Sequence, residues 1–161
     1  MKKIEFRTAL TDNGKTVKGY AAVFNEPTNA VGFTEVIRHG AFTRSLQTGN
    51  NIRALYQHND NLLLGTTQAN TLRLREDNHG LAFELDLPNT TAGRDVLELV
   101  KRGDISGCSF GFYIREERNK NDIRELLDVD LIEITLTANP AYRQTSIGVR
   151  STNNTRWLET C

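Results

Sequence analysis

The chain has 161 residues, 20 basic against 20 acidic side chains, and no formal net charge. That length suits one domain with a core of its own, and the even charge balance, with arginines scattered among acids, gives no reason to expect nucleic acid or an anionic membrane as the main partner. Hydrophobic residues at 38% exclude a disordered chain, and no stretch approaches the roughly 20 apolar residues needed to cross a bilayer.

The segments "KIEFRTAL" and "TVKGYAAVF" read as two strands joined by the Asp-Asn-Gly turn in "TDNGK", a strong hairpin signal. "NEPTNAVG" reads as a loop. "GAFTRSLQTG" suits a short helix with Phe42 and Leu46 on one side and Gly49 as its stop. "NIRALYQH" reads as a strand ending near His58 and broken by "NDN". "LLLGTTQANTLRLRED" and "HGLAFELDLP" follow as a strand meander with turns at "QAN" and "EDNHG".

The clearest helix is "TTAGRDVLELVKRG". Thr90 or Thr91 can cap it, Val96, Leu97 and Val100 form an apolar stripe, and Gly103 supplies a left-handed stop. Two long strands come next, "ISGCSFGFYIREE" and "IRELLDVDLIEITLT", around the polar turn "RNKND". "ANPAYRQTS" reads as a loop and "GVRSTNNTRWLETC" as a weakly patterned tail. Many strands in series with two helices predict a β-dominated mixed fold. The expected form is a closed or nearly closed, mostly antiparallel β-barrel with peripheral helices. Residues 1–150 would be the domain and 151–161 a tail.

Two cysteines, Cys108 and Cys161, cannot form a disulfide framework, and "MKKIEFRTAL" has no apolar run behind its lysines. The expectation is a reducing cytoplasm with Cys108 as a free thiol, so the N-x-T matches at Asn89 and Asn154 carry no weight.

Nucleophiles concentrate in "DISGCSFGF". Strand alternation puts Cys108, Phe110, Phe112 and Ile114 on one face, and Gly107, Ser109, Gly111 and Tyr113 on the other. The first face belongs to a core, where free cysteine packs as a small hydrophobe. The second is nearly bare, and glycine within a strand marks a bulge or a close approach by another backbone. Either the glycines relieve crowding in a bent strand, or Ser109 sits where a peptide carbonyl can reach it. Ser106 shares the core parity and is the weaker candidate.

A serine needs a base to take its proton. His79 in "EDNHGL" reads as a turn tip, and His39 in "VIRHGAF" as a cap or surface residue. His58 ends an apolar strand, where it is either a structural histidine or a base. Glu133 stands among Ile132, Ile134 and Leu136 but on the opposite face. It is a solvent-facing carboxylate, an ion pair with Arg115, or the partner that would orient His58. The histidines lie 19 and 21 residues apart with no Cys-x-x-Cys, so no metal site is expected. No glycine loop for phosphate or dinucleotide opens a helix, and no cofactor is expected.

Taken together, "ALYQHN", "SGCSFGF" and "VDLIEITLTANPAY", with "VKGYAAVFNEP" and "EVIRHGAFTRSL" upstream, resemble the signature blocks of the tailed-phage prohead proteases. The resemblance spans about residues 5 to 150. It implies a serine endopeptidase with a barrel like that of the herpesvirus assemblins. The implied triad is Ser109 as nucleophile, His58 as base and Glu133 as orienting acid, although assemblins use a second histidine in the third role, for which His39 or His79 would compete. Backbone N–H groups near Ser109, with Gly107 and Gly111 beside it, or the "PAYRQ" loop with Arg143, would serve the oxyanion. The implied substrate is the phage major capsid protein with its scaffold segment, cut inside the assembling procapsid in the host bacterial cytoplasm. A homodimer or higher assembly follows from the assemblin analogy, with no nucleic-acid or membrane partner. A barrel that binds capsid or scaffold without catalysis is the rival. An esterase lacks its strand-to-helix elbow, because "GCSFG" lies in mid-strand.

Overall fold

The computed structural model describes residues 6–7, 15–30, 33–138 and 155–159. Two sheets share one hydrophobic core. The four-stranded sheet runs β1 (Phe6–Arg7), β2 (Thr16–Val23), β8 (Gly80–Asp86), β7 (Leu72–Glu76), each pair antiparallel. The larger sheet runs β11 (Thr155–Glu159), β9 (Gly107–Lys120), β10 (Ile123–Thr137), β4 (Phe33–Ile37), β3 (Thr28–Ala30). β5 (Arg53–Tyr56) joins β10 and carries β6 (Asn59–Thr66) on its outer side.

β10 is the spine. Its 15 residues reach roughly 50 Å at 3.3 Å per residue, long enough for two short strands to share one edge. β4 lies parallel to its first half and β5 parallel to its second, while β9 runs antiparallel along the other edge. Among the described residues the strands form two sheets and no closed barrel, and the parallel pairings depart from the expected mostly antiparallel order. The β-dominated fold stands as expected, with two helices among the described residues.

α2 (Thr91–Arg102) follows its sequence signals. The Thr90 hydroxyl accepts from the Gly93 N–H, Val96 and Val100 are buried, and Gly103 closes the helix at φ +88°. α1 (Thr43–Gln47) is shorter than its motif, with Phe42 wholly buried just before it. Phe42 meets Phe110 edge-on at 5.5 Å, and Phe110 stacks against Phe112 at 5.0 Å. Cys108, Phe110 and Phe112 are all inaccessible, so the expected core parity of β9 holds.

Four expectations change. "NEPTNAVG" contains β3, which extends the sheet beyond β4. "NDN" does not break a strand: it begins β6, and the chain reverses two residues earlier at Gln57–His58. The tail contains β11, paired with β9. Ile132 is only half-buried, because a register shift between Leu131 and Glu133 turns Leu131 into the core instead. The Leu131 N–H donates to the buried Ser45 hydroxyl at 2.8 Å, and the Val129 N–H to the Ala41 carbonyl at 3.0 Å. The α1 region thus stitches β10 where the register changes. The turn residues 11–14, the loop from Asn139 to Ser146 and Arg143 within it lie outside the described residues.

Candidate active site

Three strands set the frame. Thr135 on β10 stands opposite Ser109 on β9 and also opposite Leu55 on β5, so the three residues lie in one row. Two residues along β10, Glu133 stands opposite Gly111. Because of the register shift, Val129 and Leu131 face the core while Glu133, Thr135 and Thr137 face the other way, beside Ser109. Without that extra residue Glu133 would share the parity of Leu131 and enter the core.

His58 is brought to this face by a tight reversal. Tyr56 pairs with Asn59, and the two residues between them, Gln57 and His58, have φ of +53° and +56°. Two left-handed residues in a two-residue hairpin are the geometry of a type I′ turn, usually given to Asn-Gly. For Gln and His it costs on the order of 1–2 kcal/mol per residue. Neighbouring hydrogen bonds hold it. The His58 N–H donates to Thr135 Oγ1 at 2.9 Å, and that hydroxyl donates onward to the Leu55 carbonyl at 3.0 Å. Thr137 Oγ1 donates to Gln57 Oε1 at 2.6 Å, and the Gln57 N–H to the Leu136 carbonyl at 3.0 Å.

The ring so placed spans the other two groups. His58 Nε2 is 3.0 Å from Ser109 Oγ, and its Nδ1 is 3.3 Å from Glu133 Oε1. With the ring neutral, an Nδ1–H directed at the carboxylate leaves Nε2 to accept from the serine hydroxyl. Glu133 is 1% exposed, which removes the solvent-facing alternative. Arg115 pairs with Asp130 instead, which removes the ion-pair alternative. Among the described residues, Arg53 is also near Glu133, its Nη2 lying 3.9 Å from Oε2 while its Nη1 donates to Asp60 at 2.9 Å. Among the described residues Glu133 Oε2 has no hydrogen-bond partner.

The other sequence candidates go elsewhere. His39 is exposed against Phe24, with ring centroids 5.1 Å apart, and His79 is exposed with its ring edge-on to Tyr20. Ser106 is exposed just before β9, and Cys108 is buried in the core. One expectation is overturned: the face around Ser109 is not open. Ser109 has no accessible surface, and Gly107 and Gly111 are buried beside it, while His58 keeps 30% of its side chain exposed. Sequence reading passed over Thr135 and Thr137. Their signal was present in "EITLT", where a glutamate and two threonines alternate with buried Ile134 and Leu136.

No curated protein and no solved structure matches this chain. A family model does, the one described as caudovirus prohead serine protease, over residues 2–158 of the 161. A match of that extent takes in every residue of the row described above, and the chain belongs to the family of caudovirus prohead serine proteases.

Proposed function

We propose that this chain is the endopeptidase of a phage prohead, cutting the scaffold-like segment of the major capsid protein within the assembling procapsid. The observation that carries the reading is the continuous contact Ser109–His58–Glu133 at 3.0 and 3.3 Å, in a chain of a serine-protease family.

In this reading Ser109 Oγ attacks the scissile carbonyl while His58 Nε2 takes its proton, forming a tetrahedral intermediate. Glu133 holds the ring with Nδ1–H toward itself and stabilises the imidazolium. His58 then returns the proton to the leaving amine, and water hydrolyses the acyl-enzyme by the same route. Backbone N–H groups near Ser109 would bind the oxyanion once a substrate reaches it. The sparse pairing of Glu133 fits its part: a carboxylate already saturated by arginines would gain little when the ring becomes charged.

The test co-expresses the chain with its cognate capsid protein and reads the new termini by mass spectrometry. Ser109→Ala is expected to abolish cleavage, by several orders of magnitude as for any member of a triad, while Cys108→Ala preserves it. Continued cutting by the Ser109 variant would overturn the reading.

A further inference from the structure

β9 carries Ser109 and has two edges. One is taken by β10, with Thr135 opposite Ser109. The other is taken by the chain's own β11, which runs antiparallel with Glu159 opposite Ser109, Trp157 opposite Gly111 and Thr155 opposite Tyr113. At Ser109, therefore, β9 has no free row of N–H and C=O groups. The residue itself has no accessible surface. A nucleophile in that state cannot meet a polypeptide until something moves.

An extended substrate adds to a sheet through an unpaired strand edge, where its main chain completes the ladder. The edge of β9 away from β10 is the one that passes Ser109, and two strands cannot hold it at once. We propose that Thr155–Glu159 is an intramolecular strap that competes with the substrate polypeptide for this edge. Ser109 becomes reactive when the strap leaves. The inference rests on the reading of Ser109 as the nucleophile.

The occupant is weak in kind and strong in concentration. Five residues at a sheet edge are a small structure, and among the described residues β11 pairs with β9 alone. Tethering nonetheless supplies an effective concentration in the millimolar range. A dilute peptide therefore loses to the strap, whereas a substrate held at comparable density, as inside an assembling shell, displaces it. Activity would follow local substrate concentration without any modification of the site.

The test is the rate at which a fluorophosphonate labels Ser109 in three forms: the full chain, a chain ending at Asn154, and the full chain carrying Arg156→Pro and Trp157→Pro. Adjacent amides point to opposite sides of a strand, so one of the two prolines removes an N–H that faces β9. Both altered forms are expected to label about tenfold faster, the gain when a site free a tenth of the time becomes free always. A synthetic peptide of residues 151–161 should slow the shortened chain again. Should the shortened chain fail to fold, the proline form decides by itself. Equal or slower labelling of the altered forms overturns the strap while Ser109-dependent cleavage of the capsid protein still stands. Absence of label at Ser109 in every form overturns the triad and the strap together.

Discussion

The two halves of β10 treat their carboxylates in opposite ways. In the first half, Glu125 is buried yet accepts from Arg38 at 2.8 Å and from Arg118 at 2.5 Å. Asp130 is held by Arg44 and Arg115, and Arg44 also donates to Asp128 at 2.8 Å. In the second half, buried Glu133 has one imidazole nitrogen at 3.3 Å and one guanidinium at 3.9 Å. The same strand thus gives Glu125 and Asp130 two arginines each and leaves Glu133 sparsely met, with Asp128 between them: Arg44 holds its Oδ2, and its Oδ1 has no hydrogen-bond partner among the described residues. Saturated carboxylates lock strand edges and the α1 region together. A sparsely met one retains electrostatic work to do on a neighbour whose charge changes, which the proposed mechanism requires of His58.

The titration of the first group reflects this saturation. Hydrogen bonds from Arg118 and Arg38 bring the Glu125 carboxyl down to about 2. For Asp130 burial pulls upward, but the hydrogen bonds from Arg44 and Arg115 prevail and hold it below the ordinary range. A depressed carboxyl contributes stability that is present above its unfolded value and lost as pH falls through its folded value.

The largest effect expected from this contrast is at Glu133. Glu133→Gln keeps the size and one hydrogen-bonding oxygen but removes the charge, and turnover of the capsid protein should fall by about 10²- to 10⁴-fold with the fold retained. Circular dichroism beside a cleavage assay separates the two outcomes, and unchanged turnover would make Glu133 a structural acid like Glu125.

The next effect is smaller and tests how the ring is placed. Thr135→Val preserves shape but leaves the His58 N–H without its acceptor, a cost of about 1–3 kcal/mol for a buried donor. Both Tm and kcat should drop, with kcat falling by roughly tenfold or more as the strained turn relaxes. Loss of Tm alone, with kcat intact, would show that the turn keeps its shape without the threonine.

The smallest effect belongs to the saturated half. Glu125→Gln should leave turnover where it is and change the acid limb of stability. The native protein should lose stability as pH falls from the unfolded glutamate value of about 4.3 toward about 2, and the variant should show a shallower loss in Tm over that window. An identical acid limb would mean that the arginine cluster does not couple to folding.

Comparison of two turns shows where the sequence was readable. Asn121–Asp122, between β9 and β10, and Gln57–His58, between β5 and β6, both carry two residues at positive φ. The first is written in residues that tolerate that conformation and stands inside the expected turn "RNKND". The second is written in Gln and His, for which local propensity argues against a turn, so "NDN" two residues later drew the break instead. The Thr135 and Thr137 contacts that hold it come from residues about 80 positions away. Local preference cannot register them.

The sequence by itself determined the helix between Thr90 and Gly103, the long β9–β10 hairpin and the parity that buries Cys108 while turning Ser109 to the other face. Those rest on caps, turn residues and alternation, all of which act within a few positions. It also carried the blocks that made His58, Ser109 and Glu133 the residues to compare. Tertiary structure alone decided the rest. Among the described residues it made two sheets where a barrel was expected, gave β10 two parallel neighbours on one edge, shifted the register at Leu131 so that Glu133 faces Ser109, and seated Thr155–Glu159 along β9. Each of these is a choice of partner between distant segments, set by pairing and burial once the chain has collapsed. The bare face around Ser109 was legible as a feature of β9. That Ser109 on this face is nonetheless inaccessible was decided by tertiary packing.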